Sequence, residues 1–572
     1  MKLKKHIENY FPDISFDTVR DVVELDAGWK VPIEKITNYA EMLSWPPNVF
    51  IILYSLLEYT DKYRLIVSPQ KHFTWKKSNN TRVVKLSKQW FDLASYQIGF
   101  NKTPLNISDI KLELNNVFSK SNLDKCVYKL FDDKKFIESV FYLVLSIDEL
   151  FSDLTVPEHP IGISLTVRDL LLGPDSNIAD NEKMHGCVAL KTSVPQAGLT
   201  INNLTHNLTV IKPSVIPKLI INKVKKYTYD KKAYNILFLP WPLNISSSSF
   251  TKVLNPSIEM DSYFGFFNYN PKEDINLNNF ATAIIGAIRR CGNIDLIVLP
   301  ECSVSEKMFL RMKKYLFQIF GNEAPSLLAG VYGLESDAES GNTFSKNAAK
   351  LAFIGETDSF DSVEQKKHHR WFLDKNQLRA YNLAGALDPG KKWWENISVE
   401  RRNLVTLHTA DGVRLCPLIC EDLARQEPVA QAVRAIGPNL VISLLLDGPQ
   451  LKGRWPGKYS AVLSDDPGSS VLSVTPLGMS LRSTGLGDPP SRGVALWSEP
   501  SNGSETLYID DNGLGILLEL EVTQEKMWTI DGRDKMKSVL RKKFHSTILD
   551  EYAGSNMSFL NRILEDELRR GV

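Results

Sequence analysis

The chain has 572 residues, more than one hydrophobic core usually holds, so two or more domains are expected. Hydrophobic residues make up 43% and charged residues 24%, which is typical of soluble globular proteins. The net charge of +1 argues against a general affinity for nucleic acid or for a membrane surface, and we expect no direct nucleic-acid binding.

The six cysteines are scattered, without a CxxC pair or a zinc-type spacing. This usage indicates free thiols in a reducing compartment, so we expect a cytoplasmic protein without a structural metal. The N-terminal sequence MKLKKHIENYF lacks the apolar segment of a signal peptide. The longest apolar run, residues 49–57, is far shorter than the roughly 20 residues that a membrane helix needs.

Residues 1–155 are predicted to form a mainly helical N-terminal domain. Asn48 can cap a helix, and residues 135–151 carry apolar side chains at the helical period of 3.6. Residues 156–230 are richer in Pro, Gly, Asn and Thr, which predicts a strand- and loop-rich subdomain or connector. Its basic cluster at residues 223–232 is typical of a solvated linker and less so of a nucleic-acid patch.

Residues 231–525 alternate apolar strand-length runs with amphipathic helices, which indicates an α/β sandwich. Runs such as 294–300 and 413–419 are continuous, as expected for strands covered on both faces. Asn512-Gly513 predicts a hairpin turn between the last two strands. Residues 526–572 are charged and amphipathic and are predicted to form a C-terminal helical tail.

One of these runs, residues 413–419, ends abruptly at Cys420, Glu421 and Asp422, and a helical pattern follows. A thiol at that place lies near free helix N–H groups, which favour a thiolate and can hold a developing oxyanion. A lone cysteine is more often a small core residue. Two acidic residues at the end of a core strand argue against that interpretation here.

Glu301 occupies the same kind of place as Cys420, because it ends the apolar run 294–300 just before a predicted helix. The polar, aromatic segment 364–383 lies between the two residues along the chain and supplies several lysines. The sequence contains no phosphate loop, no dinucleotide fingerprint and no Gly-x-Ser-x-Gly elbow. A carboxylate, an ammonium and a thiol are therefore the reactive groups that the sequence offers.

The ordered segments DLIVLPE, QKKHHRW and LICED resemble the motifs of the carbon–nitrogen hydrolase (nitrilase) superfamily, and LICED is most similar to its glutaminase-type members. The resemblance covers about residues 234–525. It implies a nitrilase-like α-β-β-α sandwich with a catalytic triad of Glu301, Lys367 and Cys420. Lys366 and Lys375 compete with Lys367, because the lysine segment departs from the compact family pattern.

The resemblance implies hydrolysis of a small amide or nitrile through a thioester on Cys420, without a metal or organic cofactor. Glu301 would relay protons, and Lys367 with the backbone N–H of Glu421 would stabilise the oxyanion. Family members often carry a second glutamate that positions the substrate or the lysine. Glu395 is the candidate for this role and Glu400 the alternative.

Other residues near these motifs have structural interpretations. Cys302 and Cys416 are expected to be structural. The neighbouring His368 and His369 would point opposite ways on an extended chain, which argues against chelation of a metal at one site. Four tryptophans are candidates either for the pocket mouth or for core packing, namely Trp371, Trp393, Trp394 and Trp455.

The hydrolase fold does not need residues 1–230, which leaves a second hypothesis open. The chain also resembles bacterial nitrilase-like proteins associated with reverse-transcriptase anti-phage systems. On that hypothesis it is a catalytically silent or regulated scaffold that binds a protein partner through residues 1–230. The reverse transcriptase would be a separate chain, since no polymerase motif occurs here. The family resemblance further implies a homo-oligomer.

Overall fold

The computed structural model describes residues 1–17, 19–20, 22–25, 36–68, 73–97, 106–152, 186–222, 233–258, 260–271, 275–336, 341–355, 359–399 and 402–549. About half of the predicted connector, its basic cluster and the last 23 residues of the predicted tail (550–572) lie outside these ranges. None of the described helices is long and apolar enough to cross a membrane.

The described N-terminal residues fold into α-helices around an apolar core of their own, as their periodic apolar residues predict. The helix expected to start at Asn48 begins two residues earlier, with two prolines at its first positions, where a missing N–H costs nothing. Asn48 is therefore not its cap. The helices are α1 (Leu3–Glu8), α2 (Tyr39–Ser44), α3 (Pro46–Thr60), α4 (Lys77–Gln97), α5 (Ser108–Phe118), α6 (Lys120–Leu123), α7 (Val127–Leu130) and α8 (Lys134–Leu150).

Three strands of the predicted connector are described: β1 (Cys187–Leu190), β2 (Leu208–Ile211) and β3 (Val215–Asn222). β1 and β2 form a two-stranded antiparallel sheet. Alternate residues of β1 face opposite ways, so Val188 and Leu190 pack in the N-terminal core while Ala189 packs against the C-terminal half. This small sheet thereby joins the two halves of the protein.

The rest of the chain alternates strands with helices. In chain order these are β4 (Ala233–Phe238), β5 (Phe250–Lys252), β6 (Phe264–Tyr269), α9 (Leu277–Cys291), β7 (Leu296–Ser305), α10 (Glu306–Phe320), β8 (Ser326–Ser336), β9 (Thr343–Ile354), β10 (Phe360–Lys366), β11 (Phe372–Leu373), α11 (Lys375–Ala380), β12 (Lys392–Glu395), β13 (Arg402–Thr409), β14 (Arg414–Ile419), α12 (Gln431–Ile436), β15 (Leu440–Leu444), α13 (Trp455–Asp465), β16 (Ser470–Val474), α14 (Leu477–Arg482), β17 (Gly493–Glu499), β18 (Gly503–Tyr508), β19 (Gly513–Trp528) and β20 (Asp534–Leu549).

Two seven-stranded sheets dominate this half, which confirms the predicted mixed α/β class. The first has the strand order β10-β9-β8-β7-β4-β19-β20, and the second has the order β18-β17-β16-β15-β14-β13-β3. One apolar core contains side chains of both sheets, including Val298 and Leu328 of the first and Leu415 and Ile442 of the second. The two sheets therefore pack face to face.

Helices cover the outer face of each sheet. α9 and α10 pack on the first sheet, for example through Phe280 and Met312. α12 and α13 pack on the second, through Val433 and Leu463. The layers thus run helix, sheet, sheet, helix. A four-stranded sheet of order β11-β12-β6-β5 lies apart from both and carries the segment that ends at Glu395.

The end of the described chain corrects two predictions. Residues 534–549, predicted as part of a helical tail, form strand β20, which pairs along its whole length with β19. Asn512-Gly513 does form a turn, with Asn512 at φ 58°. It does not close a hairpin, however, because β18 lies in the second sheet and β19 in the first. The turn carries the chain from one sheet to the other.

A buried ionic cluster fixes the N-terminal domain to the turn between β19 and β20. The Arg533 guanidinium contacts Asp148 at 3.2 Å, Glu149 at 3.0 Å and Asp531 at 2.7 Å. The Asp148 carboxylate also accepts hydrogen bonds from three consecutive backbone N–H groups, of residues 206–208. Because the cluster joins the end of α8 to the turn between β19 and β20, it sets the relative orientation of these two parts of the chain.

Candidate active site

A bulge in strand β7 presents Glu301. The pairing of β7 with β8 is regular up to Leu299 and resumes at Val304, so residues 300–303 stand out of the ladder. Cys302, inside the bulge, has the left-handed φ of 49°. Opposite lies Gly330, where a Cβ atom would come within 2.2 Å of the Pro300 carbonyl oxygen. The absent side chain of Gly330 therefore makes room for the bulge.

Lys367 lies beside this glutamate. It follows β10, and its buried Nζ donates to Glu301 Oε1 at 2.8 Å and to Glu395 Oε2 at 2.7 Å. The competing Lys366 is half-exposed and pairs with Glu335, and Lys375 is exposed in the first turn of α11. Of the three lysines considered, Lys367 is the one that the structure brings to Glu301.

Glu395, the predicted supporting glutamate, ends β12 and completes a buried network. Its carboxylate also accepts the Trp371 N–H at 3.0 Å. Asn347, on β9, donates its amide to Glu301 at 2.7 Å and to Glu395 at 2.6 Å. One ammonium and one amide thus hold two carboxylates in place. The alternative, Glu400, lies outside the described residues.

Cys420 begins the turn after β14, as predicted. It is 1% exposed and has a left-handed φ of 46°, an uncommon conformation for a residue with a side chain. The chain then forms a single 3₁₀ turn, Cys420–Leu423. The backbone N–H of Glu421 belongs to the first turn, where no intrahelical acceptor is available. The Glu421 side chain forms a 2.6 Å ion pair with Arg425.

The electrostatics determine the protonation state of the Cys420 thiol. Burial raises the pKa of the Cys420 thiol well above its usual value; the Glu301 charge raises it further, and the Lys367 charge opposes both. A short turn of N–H groups does not outweigh this desolvation, so the thiol is protonated at rest. Deprotonation then requires a nearby base.

Glu301 has the properties of such a base. Burial raises the pKa of its carboxyl; the Lys367 ammonium lowers it, and the Glu395 carboxylate raises it again. For Lys367, burial alone would lower the pKa, but the two carboxylates outweigh burial and hold it well above the usual lysine value. The Lys367 ammonium therefore stays charged, while the pKa of Glu301 is shifted upward in the direction of neutral pH.

Asp422 links the lysine segment to the cysteine turn. Its fully buried carboxylate accepts the His368 N–H at 3.1 Å and the His369 N–H at 3.0 Å, and it lies 3.0 Å from His369 Nδ1. These histidines directly follow Lys367. The carboxylate of Asp422 therefore fixes the distance between the segment that carries Lys367 and the turn that carries Cys420.

A pocket of about 190 Å³ opens above Cys420. Two of the predicted tryptophans, Trp371 and Trp455, line it together with Tyr381 and Asp447. The other two are not among its lining residues: Trp393 packs in an apolar cluster that also contains Trp371, and the Trp394 ring contacts that of Phe372. The pocket thus extends to the residue that carries the candidate nucleophile.

Sequence reasoning missed two polar residues of this region. Asn347 lies on the face of β9 that also carries the core residues Ala349 and Leu351. Asp447 is an acid that directly follows an apolar run of the sequence, as Glu301 does. The second signal is the same one that identified Glu301, so it was available in the sequence. Asn347 gives a weaker signal, because single polar residues also occur in strands that pack on loops.

Comparisons with known proteins give remote likenesses. No protein-family model matches the sequence, and no curated protein matches it. The glutamine-dependent NAD⁺ synthetase from Acinetobacter baumannii is 15% identical with a TM-score of 0.28, over 50% of this chain and 45% of that one. This chain thus spans less than half of that protein.

Two other solved structures match this chain over nearly their whole length. Saccharomyces cerevisiae Nit3, a member of branch 10 of the nitrilase superfamily, is 13% identical with a TM-score of 0.26, over 59% of this chain and 96% of that one. An amidase from Nesterenkonia sp. is 12% identical with a TM-score of 0.26, over 59% and 100%. Likenesses this remote carry no argument, so the functional conclusion depends on the site itself.

Proposed function

We propose that this chain is a carbon–nitrogen hydrolase of the nitrilase type that cleaves a small amide or nitrile. The observation that carries the proposal is the buried contact of Lys367 with Glu301 and Glu395, at electrostatic range of the Cys420 thiol. These three groups suit acyl transfer. The thiol can act as the nucleophile, the carboxylate with a raised pKa can accept its proton, and the buried ammonium can stabilise the oxyanion that forms. The helix–sheet–sheet–helix layering is compatible with a nitrilase-like sandwich.

In the first half of the reaction, Glu301 accepts the thiol proton as Cys420 sulfur attacks the carbonyl carbon of an amide. A carbon–sulfur bond forms, and the oxygen becomes an oxyanion that Lys367 and the Glu421 N–H stabilise. The intermediate collapses, the carbon–nitrogen bond breaks, and Glu301 returns its proton to the leaving amine. The product at this stage is a thioester on Cys420.

In the second half, water attacks the thioester carbonyl while Glu301 accepts one of its protons. The carbon–sulfur bond breaks, the sulfur takes the proton back, and a carboxylic acid leaves. Asn347 and Glu395 hold the side chains of Glu301 and Lys367 in position throughout both halves. The sum is amide plus water to acid plus amine or ammonia.

A labelling experiment tests this proposal. A thiol-reactive amide probe should modify Cys420, and Cys420→Ala should abolish the modification. Cys416→Ala is the matched control, because this buried thiol lies on β14, the strand that leads to Cys420, and its loss should not affect labelling. Labelling that survives Cys420→Ala, or that maps to Cys302, would show the site to be wrong. Ammonia release from a panel of amides then tests turnover.

A second candidate function is a silent or regulated scaffold, which the state of the thiol favours. Cys420 is almost fully buried and its pKa is raised, so the resting thiol is protonated and presents little surface to a substrate. Wild-type protein whose Cys420 reacts with the probe but which releases no ammonia from a broad amide panel would favour the scaffold. Purification of the native complex would then show whether a separate reverse transcriptase is bound.

A further inference from the structure

Asp447 connects the proposed catalytic carboxylate to the pocket. It follows Leu446, whose backbone N–H donates to Glu301 Oε2 at 2.7 Å. The backbone of Asp447 is held by Thr475, which accepts its N–H at 3.1 Å and donates to its carbonyl oxygen. The position of Asp447 is therefore fixed on both sides, and the residue lines the same pocket as Cys420.

The two oxygens of the Asp447 carboxylate are used unequally. Oδ1 accepts the Tyr381 hydroxyl and the Arg454 guanidinium, the latter at 2.9 Å. Oδ2 is buried, and no described residue donates a hydrogen bond to it. The side chain as a whole is only 3% exposed. An unpaired carboxylate oxygen at such a place is costly, and a ligand N–H or O–H would relieve that cost.

The charges around the pocket indicate which ligands suit this oxygen. Arg454 is already paired with Asp447, and Arg425 with Glu421. The pocket's described lining therefore holds no cation that lacks a carboxylate partner, while Asp447 and Glu421 would repel an anion. Its remaining walls include the rings of Trp371, Tyr381 and Trp455. This lining suits a small neutral or cationic group that carries a hydrogen-bond donor.

We propose that Asp447 determines specificity by accepting a hydrogen bond, through Oδ2, from the substrate group that extends away from the scissile carbon. This proposal rests on the function proposed above. It assigns the substrate class as small amides or nitriles with a hydroxyl or amine on that group. Amides that carry a carboxylate there are poor substrates.

Covalent probes test this assignment without requiring turnover. Three N-methylated chloroacetamides, which have no amide N–H of their own, carry a 2-hydroxyethyl, a 2-methoxyethyl or a carboxymethyl group. In each the sulfur of Cys420 forms a bond to the CH₂ carbon, chloride leaves, and the thiol proton passes to Glu301. The measurement is the second-order rate of modification at Cys420, located by peptide mass spectrometry.

The hydroxyethyl probe should react about 10-fold or more faster than the other two, since a hydrogen bond to a charged acceptor has that effect. Asp447→Asn replaces Oδ2 by an N–H donor, and it should reverse the order so that the carboxymethyl probe gains on the hydroxyethyl probe. Asp465→Asn, an exposed acid at the end of α13, is the control and should leave the order unchanged.

The outcomes distinguish this proposal from the proposed hydrolase function on which it rests. Equal rates for the three probes, or an order that Asp447→Asn does not change, overturn the role of Asp447 and leave the assignment of Cys420 intact. Failure of all three to modify Cys420 in the wild type overturns the role of Asp447 as well. In either case, ammonia release from the amide panel decides independently whether the chain is a hydrolase.

Discussion

Replacing Gly330 by alanine should displace Glu301 without altering any group in the site. The added Cβ would lie 2.2 Å from the Pro300 carbonyl oxygen and 2.5 Å from Glu301 Cα. Both distances are about 1 Å or more shorter than an ordinary non-bonded contact, so the backbone of the bulge must move. A displacement of about 1 Å in a reacting group can cost about 100-fold in rate. Overpacking of this kind also destabilises by about 1–3 kcal/mol.

Gly333→Ala is the matched control. It lies on the same strand, β8, and its new Cβ would meet a first neighbour only at 3.9 Å, an ordinary contact. Steady-state ammonia release and the thermal midpoint would be measured for both variants. Gly330→Ala should lose turnover about 100-fold, whereas Gly333→Ala should retain it. Equal turnover in the two variants would refute the argument that Gly330 makes room for the Glu301 bulge.

Three further predictions concern charge. Lys367→Met should lower the free energy of unfolding by about 3–5 kcal/mol near neutral pH, because it leaves two buried carboxylates without their cation, whereas Lys366→Met should cost at most about 1 kcal/mol. Urea unfolding should show that the stability lost in Lys367→Met becomes smaller in acid. A carboxyl with a raised pKa stabilises the folded state when it is protonated, and this contribution is lost as the pH rises through the raised pKa. The acid limb of kcat/KM should lie above the usual glutamate pKa of 4.5, since Glu301 must be ionised to accept the thiol proton; a limb at or below 4.5 would contradict this role. Arg533→Met should lower the free energy of unfolding by about 3–5 kcal/mol, because it leaves the buried Asp148 without its cation. The control Arg541→Met, at a more exposed ion pair, should lower it by at most about 1 kcal/mol, and thermal unfolding measures both.

The proposed reactive residues could be predicted from the sequence because each interrupts a strong local pattern. A continuous apolar strand that ends in Glu301 or Cys420 is conspicuous, since buried strands rarely end in groups that are costly to desolvate. What the sequence does not contain is the packing of the two sheets. Glu301 lies on the first sheet and Cys420 on the second, so their approach depends on long-range packing that no local pattern records.

The error at residues 534–549 has a physical explanation. The segment is rich in lysine and arginine, which suits an exposed helix as well as it suits an edge strand that charge protects from further pairing. β20 is the last strand of the first sheet, so only its contact with β19 selects the extended form. Local preference was ambiguous here, and the tertiary contact decided the structure.

Burial is the main cause of the raised pKa values of both Glu301 and Cys420. One ammonium, that of Lys367, faces two carboxylates, so the site carries an excess negative charge in a poorly solvated place. The Lys367 charge lowers the pKa of both groups, whereas the Glu395 charge acts against it at Glu301 and the Glu301 charge acts against it at the thiol. Proton transfer between two groups that are shifted in the same direction is closer to balanced than transfer from a buried thiol to an ordinary, solvated carboxylate. A second cation in the network would stabilise the folded protein, but it would also lower the proton affinity of Glu301 and weaken it as a base.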